Sequence, residues 1–343
     1  MSGRIPRTLR LAVVGASIGG ALLFGLSLRT AGVGVVIDDI RKLGIGFALV
    51  FLLGGVRHVT RTIAWTFCVE PPDHLPLGRA FAAYLAGDSL GNVTPFGFLI
   101  SEPSKIVLVR HLVGPKASIS ALTVENLFYS SIVALMLVAG TAALLLSFSV
   151  SRPIRLASLA IFGSALACSA SATWIIMTRR RLISRVFARM IRRNIARAYF
   201  ESRLPHVCDI EDRIFGFVGR YRERVLPILA IEVVFHTAAV FEIWMVLTFI
   251  NGSAPSVLTA FVLEYVNRTI TTVFQFVPMW IGVDEAGTGL MTAALHLGPA
   301  AGVSLALIRK GRLIAWTAIA IGLLLQQGLS VRSTLREAEQ LRS

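Results

Sequence analysis

Two stretches of the chain place carboxylates, amides and basic groups beside prolines and glycines, in surroundings that are otherwise apolar. Ionisable side chains at membrane depth are costly, so they line polar cavities or pair with one another. Broken backbone is tolerated there only beside a cavity or inside the protein. The first stretch contributes Asp88, Asn92, Pro95, Gly97, Glu102 and Lys105. The second contributes Asn267, Arg268, Gln275, Pro278, Gly282, Asp284 and Glu285.

The two stretches share a spacing. Pro95 precedes Glu102 by seven residues, and Pro278 precedes Glu285 by seven. An amide side chain stands three residues before each proline, and a long apolar run follows. We interpret this as a weak inverted repeat of two re-entrant or broken helices, because transporters commonly pair discontinuous helices in this way. Ordinary proline kinks with a chance spacing are the alternative.

The elements that must position these residues are membrane helices. Of the 343 residues, 55% are hydrophobic and 15% are charged, and the mean hydropathy is +0.72. Apolar runs of about 20 residues are long enough to cross the hydrocarbon core. The sequence therefore predicts an all-α, polytopic membrane bundle of six to eight membrane segments. The runs cover residues 11–28, 43–69, 80–100, 119–150, 156–177, 226–250, 257–276, 286–308 and 313–329.

The net charge of +15 is concentrated between the apolar runs. Residues 179–224 hold thirteen arginines against five acids, and the positive-inside rule places such a loop in the cytoplasm. Within it, residues 186–199 have the periodicity of an amphipathic helix, which would lie on anionic headgroups or pack on the protein's own cytoplasmic side. No recognised nucleic-acid-binding motif accompanies the charge.

We expect a single membrane domain over residues 1–343. Its first half is 1–178 with a broken segment at 80–105, and its second half is 226–330 with a broken segment at 267–287. The basic loop 179–225 joins them, and a short cytoplasmic tail, 331–343, follows. Three cysteines that are distant in sequence give no zinc or disulfide pattern, and no cofactor is expected.

At the two polar stretches the sequence resembles the bacterial flippase-like membrane domain named for lysylphosphatidylglycerol synthase. The residues that carry the resemblance are Pro95, Gly97, Glu102 and Lys105, then Glu125 within a Thr-Val-Glu-Asn stretch, and Pro278 to Glu285 followed by Arg309. The family pattern has an arginine where this chain has Asn126. The resemblance implies a multi-pass protein of the bacterial cytoplasmic (inner) membrane that binds or translocates lipid. It does not imply synthesis, which belongs to a separate soluble domain.

The expected function is therefore that of a lipid flippase-like transporter rather than an enzyme. Its central cavity would hold a polar, anionic or zwitterionic headgroup. The thirteen residues of the two stretches would form it together with Glu125 and Arg309, which makes fifteen. Structural ion pairing is the alternative role for the charged members. A lipid-modifying enzyme and a non-transporting partner of a lipid or glycan biosynthetic complex remain open, although no HExxH, GxSxG or P-loop motif is present.

Overall fold

The computed structural model describes residues 7–326, which form helices, short turns and no strand. The predicted all-α membrane bundle is confirmed. The helices of the described part are α1 (Arg7–Ala31), α2 (Val33–Leu43), α3 (Gly46–Cys68), α4 (Leu77–Asn92), α5 (Phe98–Val109), α6 (Pro115–Ser147), α7 (Arg152–Met177), α8 (Leu182–Arg192), α9 (Arg197–Arg220), α10 (Arg222–Asn251), α11 (Val257–Val273), the 3-10 turn Pro278–Trp280, α12 (Val283–Ala294) and α13 (Pro299–Gln326). The tail 331–343 lies outside the described residues.

Four helices of the described part are long and apolar enough to cross a membrane, namely α3, α6, α7 and α10. The pair α1 and α2, bent by 83° at Gly32, would make a fifth span. Helix α13 has 28 residues, but three basic side chains interrupt its apolar composition. By length and composition the described residues thus contain four or five spans, whereas the six to eight segments that the sequence predicts include the two broken ones.

Two of the predicted runs differ from the structure in their limits. Residues 286–308 are not one segment, because α12 ends at Ala294 and α13 begins at Pro299, after Gly298 with a φ of +80°. Residues 313–329 are not a separate segment either, since their described part continues α13. The predicted amphipathic helix 186–199 is also divided: α8 ends at Arg192, and Asn194 and Ala196 have left-handed φ values before α9 begins.

Helices α3 and α10 form the frame of the bundle. They run antiparallel along their whole length, because Gly46 lies against the ring of Phe249 and Arg224 donates to the carbonyl oxygens of Phe67 and Val69. We call the end at Arg224 the basic end and the end at Phe249 the far end.

The basic loop packs at the basic end. Glu70, in the connection after α3, accepts from Arg220 at 2.7 Å and pairs with Arg213 at 3.5 Å. The hydrogen bond from Arg220 to this carboxylate raises the pKa of the arginine above its ordinary value. Lys116, at the start of α6, pairs with Asp209 of α9 at 3.5 Å. The starts of α4, α6 and α10 are therefore gathered at one end of the molecule.

The chain leaves the helix at both interruptions that the sequence indicates. Helices α4 and α5 form a first hairpin that starts and ends at the basic end, and α11 and α12 form a second that starts and ends at the far end. The two tips touch, since the backbone N–H of Phe96 donates to the carbonyl oxygen of Gln275 at 3.1 Å. The hairpin helices have 12 to 17 residues, roughly 18–26 Å at 1.5 Å per residue. Each is shorter than the ~30 Å hydrocarbon core.

Glycines allow close backbone contact at both tips. In the first, a Cβ on Gly97 would lie 2.2 Å from the carbonyl oxygen of Gly91. In the second, Gly282 has a φ of +84°, and a Cβ there would lie 1.9 Å from the carbonyl oxygen of Gly20 in α1. Small residues of this kind let helix backbones approach in membranes. The first helix is thereby fixed against the second hairpin.

Replacing Gly20 with alanine should destabilise the protein, because its Cβ would lie 2.6 Å from the carbonyl oxygen of Ile281. Overpacking of this kind costs about 1–3 kcal/mol. The neighbouring Gly19→Ala variant is the matched control, since a Cβ there meets nothing within 4 Å. Thermal unfolding in detergent, followed by fluorescence size-exclusion, should show a lower Tm for Gly20→Ala alone. Equal Tm values for the two variants would refute the contact.

Candidate functional site

A cavity of about 610 Å³ lies where the two hairpin tips meet α3, α6, α10 and α13. Its volume is within the range of small-molecule sites, about 300–1,000 Å³. Ten of the fifteen residues predicted from sequence line it. These are Asp88, Asn92, Gly97, Glu102, Lys105, Asn267, Arg268, Gln275, Asp284 and Arg309.

The other five predicted residues, Pro95, Glu125, Pro278, Gly282 and Glu285, do not line the cavity. The prolines and the glycine lie in the two tips and shape them. Glu285 is fully buried, where its carboxylate accepts from the backbone N–H of Gly282 at 2.7 Å and from Lys310 at 2.6 Å. It therefore caps the start of α12 and does not face the cavity.

Charged residues that the sequence analysis did not include also form the wall. Arg57, Arg61, Lys310 and Arg312 line the cavity. Arg57 and Arg61 of α3 are nearly buried, with side chains 12% and 7% exposed. Three fully buried glutamates stand behind the wall: Glu232, Glu242 and Glu264. The available signal was the presence of acids within apolar runs, two in residues 226–250 and one in residues 257–276.

Arg61 of α3 joins three other helices. Its guanidinium lies 2.9 Å from Glu125 of α6 and 3.2 Å from Glu232 of α10, and it donates to the Tyr84 hydroxyl of α4 at 2.9 Å. It also donates to Asn126 at 3.2 Å, so this asparagine supplies an acceptor where the family pattern has a further cation. Two carboxylates therefore share the single guanidinium of Arg61.

Two buried glutamates pair with four arginines on the part of the wall formed by α3, α11 and α13. Glu264 of α11 pairs with Arg268 at 2.7 Å and with Arg309 of α13 at 3.2 Å. Glu242 of α10 pairs with Arg57 at 3.5 Å, contacts Arg312 closely, and lies 3.9 Å from Arg309. Arg309 therefore links the two glutamates, and it also donates to Asn267 at 2.7 Å.

A lysine with two carboxylate partners contacts each hairpin. Lys105 of α5 lies 2.9 Å from Asp88 and 3.0 Å from Glu102. Lys310, which packs on the second hairpin, lies 2.6 Å from Glu285 and 4.0 Å from Asp284. These pairs hold the hairpin helices in place, because a buried charge without a partner would be strongly destabilising.

The charges are arranged in two layers. Seven basic side chains line the cavity: Arg57, Arg61, Lys105, Arg268, Arg309, Lys310 and Arg312. Only three acids share that surface: Asp88, Glu102 and Asp284. The other five carboxylates of the cluster have side chains no more than 1% exposed and stand behind the basic ones. The surface that a ligand would meet is therefore mainly basic.

Residues 8–322 match the family model described as the lysylphosphatidylglycerol synthase TM region. The chain belongs to this family. The matched region of the lysylphosphatidylglycerol synthase TM family contains both hairpins, the basic loop and every ion pair described above. No curated protein matches the chain, and no solved structure does.

Within the described residues of this TM region, no group of three or more His, Cys, Asp or Glu side chains is arranged to hold a metal ion. The side chains that line the cavity offer charge and hydrogen-bonding groups. Guanidinium and ammonium groups can bind anions, while Asn92, Thr271, Thr272 and Gln275 offer further polar contacts. Phe235 and Trp316 give the same wall apolar surface.

Replacing Arg61 with methionine should destabilise the protein by about 3–5 kcal/mol, because it leaves two buried carboxylates unpaired. The double variant Arg61→Met with Glu125→Gln should recover part of that loss, since one charge less remains. The exposed Arg41, which pairs with exposed Asp38, is the control, and its methionine variant should change stability by less than about 1 kcal/mol. Denaturant titration in detergent measures all three. If the double variant is no more stable than Arg61→Met, Glu125 is not a partner of Arg61.

Proposed function

We propose that this protein is a lipid flippase-like transporter that binds the polar headgroup of a membrane lipid in the central cavity and moves it between leaflets. The observation that carries the proposal is a charged cavity enclosed by two helical hairpins that enter from opposite ends of a membrane bundle. Membership of the lysylphosphatidylglycerol synthase TM family supports a lipid ligand. We propose no catalytic step.

A physical barrier explains why such a cavity would be needed. A polar or charged headgroup loses its hydration in hydrocarbon, and an unpaired polar group costs several kcal/mol there. The cavity wall offers charges and hydrogen-bond donors at that depth, and the acyl tails would stay in the lipid beside the bundle. The transporter thus replaces water as the partner of the headgroup.

Broken helices that meet near the midplane are a common basis for binding sites in transporters. Here each hairpin begins and ends at one end of the frame, and the tips meet through the contact of Phe96 with Gln275. We propose that both hairpins are re-entrant and that they form an inverted pair. Movement of one tip relative to the other would open the cavity to alternate sides.

We further propose that the protein lies in a bacterial inner membrane with its basic end in the cytoplasm. Residues 179–224 supply the charge for this assignment. Arginines and lysines are retained in cytoplasmic loops, whereas acids contribute little to orientation.

Filling the cavity should abolish lipid movement. Ser130 and Ser131 of α6 are both exposed, but only Ser130 lines the cavity. In proteoliposomes with fluorescent phospholipids, Ser130→Phe should lower the rate of movement between leaflets by about tenfold or more, equivalent to 1.4 kcal/mol. Ser131→Phe should retain the rate of the parent protein.

Other outcomes of this experiment would contradict the proposal. Chemical conversion of the lipid would indicate a lipid-modifying enzyme. An absence of both movement and conversion, in a protein that folds and localises normally, would indicate a partner of a lipid-biosynthetic complex. Equal rates for Ser130→Phe and Ser131→Phe would exclude this cavity as the route.

The proposed topology predicts the labelling pattern of single cysteines. His74 and His111 are exposed at the two ends of the first hairpin, and Ser253 is exposed at the far end. In a background without Cys68, Cys168 and Cys208, His74→Cys and His111→Cys should react with an impermeant maleimide from the cytoplasmic side. Ser253→Cys should react from the opposite side. Labelling of residues 74 and 111 from opposite sides would show that the segment between them crosses the membrane.

A further inference from the structure

The basic residues of the cavity wall differ in how many carboxylates pair with them. Lys105, Lys310 and Arg61 each have two carboxylate partners. The remaining four basic residues of the wall, Arg57, Arg268, Arg309 and Arg312, share only two carboxylates, Glu242 and Glu264. The excess of positive charge is therefore confined to the part of the wall formed by α3, α11 and α13.

Within that part, Arg57 and Arg312 have the fewest carboxylate partners. Among residues 7–326, the only carboxylate that either of them pairs with is Glu242. Both side chains are 12% exposed, more than those of Arg61, Arg268 and Arg309. A guanidinium carries five N–H donors, so one shared carboxylate leaves several of them available to the cavity.

The positions of these two arginines are fixed by neighbouring residues. The guanidinium of Arg57 stacks over the ring of Phe235 at 4.7 Å. The side chain of Arg312 passes over Gly54, where a Cβ would lie 2.7 Å from its Cδ. Two forked donors held beside each other in this way match the geometry of a phosphate group, which Arg binds through paired N–H bonds.

We propose that Arg57 and Arg312 form a phosphate subsite of the cavity. Its ligand is a phosphate group, supplied by a lipid headgroup or by a free phosphate, and the lipid source rests on the proposed function. Lys105 and Lys310 have a different role, since each already has two carboxylate partners. They support the tips, while the arginines of α3 and α13 hold the anion.

The test measures binding to the purified full chain in detergent, which does not require transport. The probes are dioctanoyl phosphatidylglycerol, dioctanoylglycerol, which lacks the phosphate, and inorganic phosphate. Arg57→Gln and Arg312→Gln should each raise the Kd for the phospholipid by about 10- to 100-fold, the loss expected for charge-assisted hydrogen bonds. Each variant leaves Glu242 paired with the other arginine, so the fold should be kept.

Arg41→Gln is the matched control, because it removes the same charge from an exposed arginine that pairs with exposed Asp38 and does not line the cavity. Its Kd for the phospholipid should change by less than about threefold. Binding of dioctanoylglycerol should be equal in all variants. If inorganic phosphate binds the parent protein as tightly as the phospholipid and competes with it fully, the subsite takes free phosphate. If phosphate competes only weakly, the subsite takes the headgroup.

The proposal fails if both arginine variants bind the phospholipid as the parent does, or if Arg41→Gln loses as much affinity as they do. Its failure is distinguishable from that of the transport proposal. Arginine-dependent binding without lipid movement in proteoliposomes would retain the subsite and reject the transporter. If both arginine variants move lipid and bind the phospholipid as the parent does, the subsite is rejected and the transporter is retained.

Discussion

The cost of placing charge inside a membrane bundle is the constraint on which this structure depends. Eight carboxylates and seven basic groups lie in or behind one cavity wall, and each must be paired where water is scarce. The pairs run between helices that are distant in sequence: α3 is tied to α6 and α10 through Arg61, and α10 to α13 through Glu242. The same contacts that satisfy the charges therefore determine how the helices are arranged.

The hairpins make this arrangement possible. In a continuous helix the backbone N–H and C=O groups are paired within the helix. Two interrupted helices instead place their ends in the interior of the bundle. There the tips meet at Phe96 and Gln275, and the cavity occupies the space beside them. Gly97 and Gly282 allow the backbone to pack closely at the two tips.

Much of this could be predicted from the sequence. Apolar runs and interrupted segments indicated an all-α membrane bundle, and proline and glycine marked both tips. The partners of the charges could not be predicted, because ion pairs such as Arg61 with Glu232 join residues that only tertiary packing brings together. Glu242 and Arg312 were missed for this reason. Glu285 was misplaced because a glutamate three residues after a helix start can serve that helix itself, and the spacing alone does not distinguish the two roles.

The antiparallel frame has a consequence for the depth of the polar surface. Glu232 and Glu242 lie ten residues apart on α10, which places their ion pairs about 15 Å apart along the helix axis. That separation is about half of the hydrocarbon thickness. The ion pairs therefore do not all lie at one level of the bundle but are placed at successive depths along it.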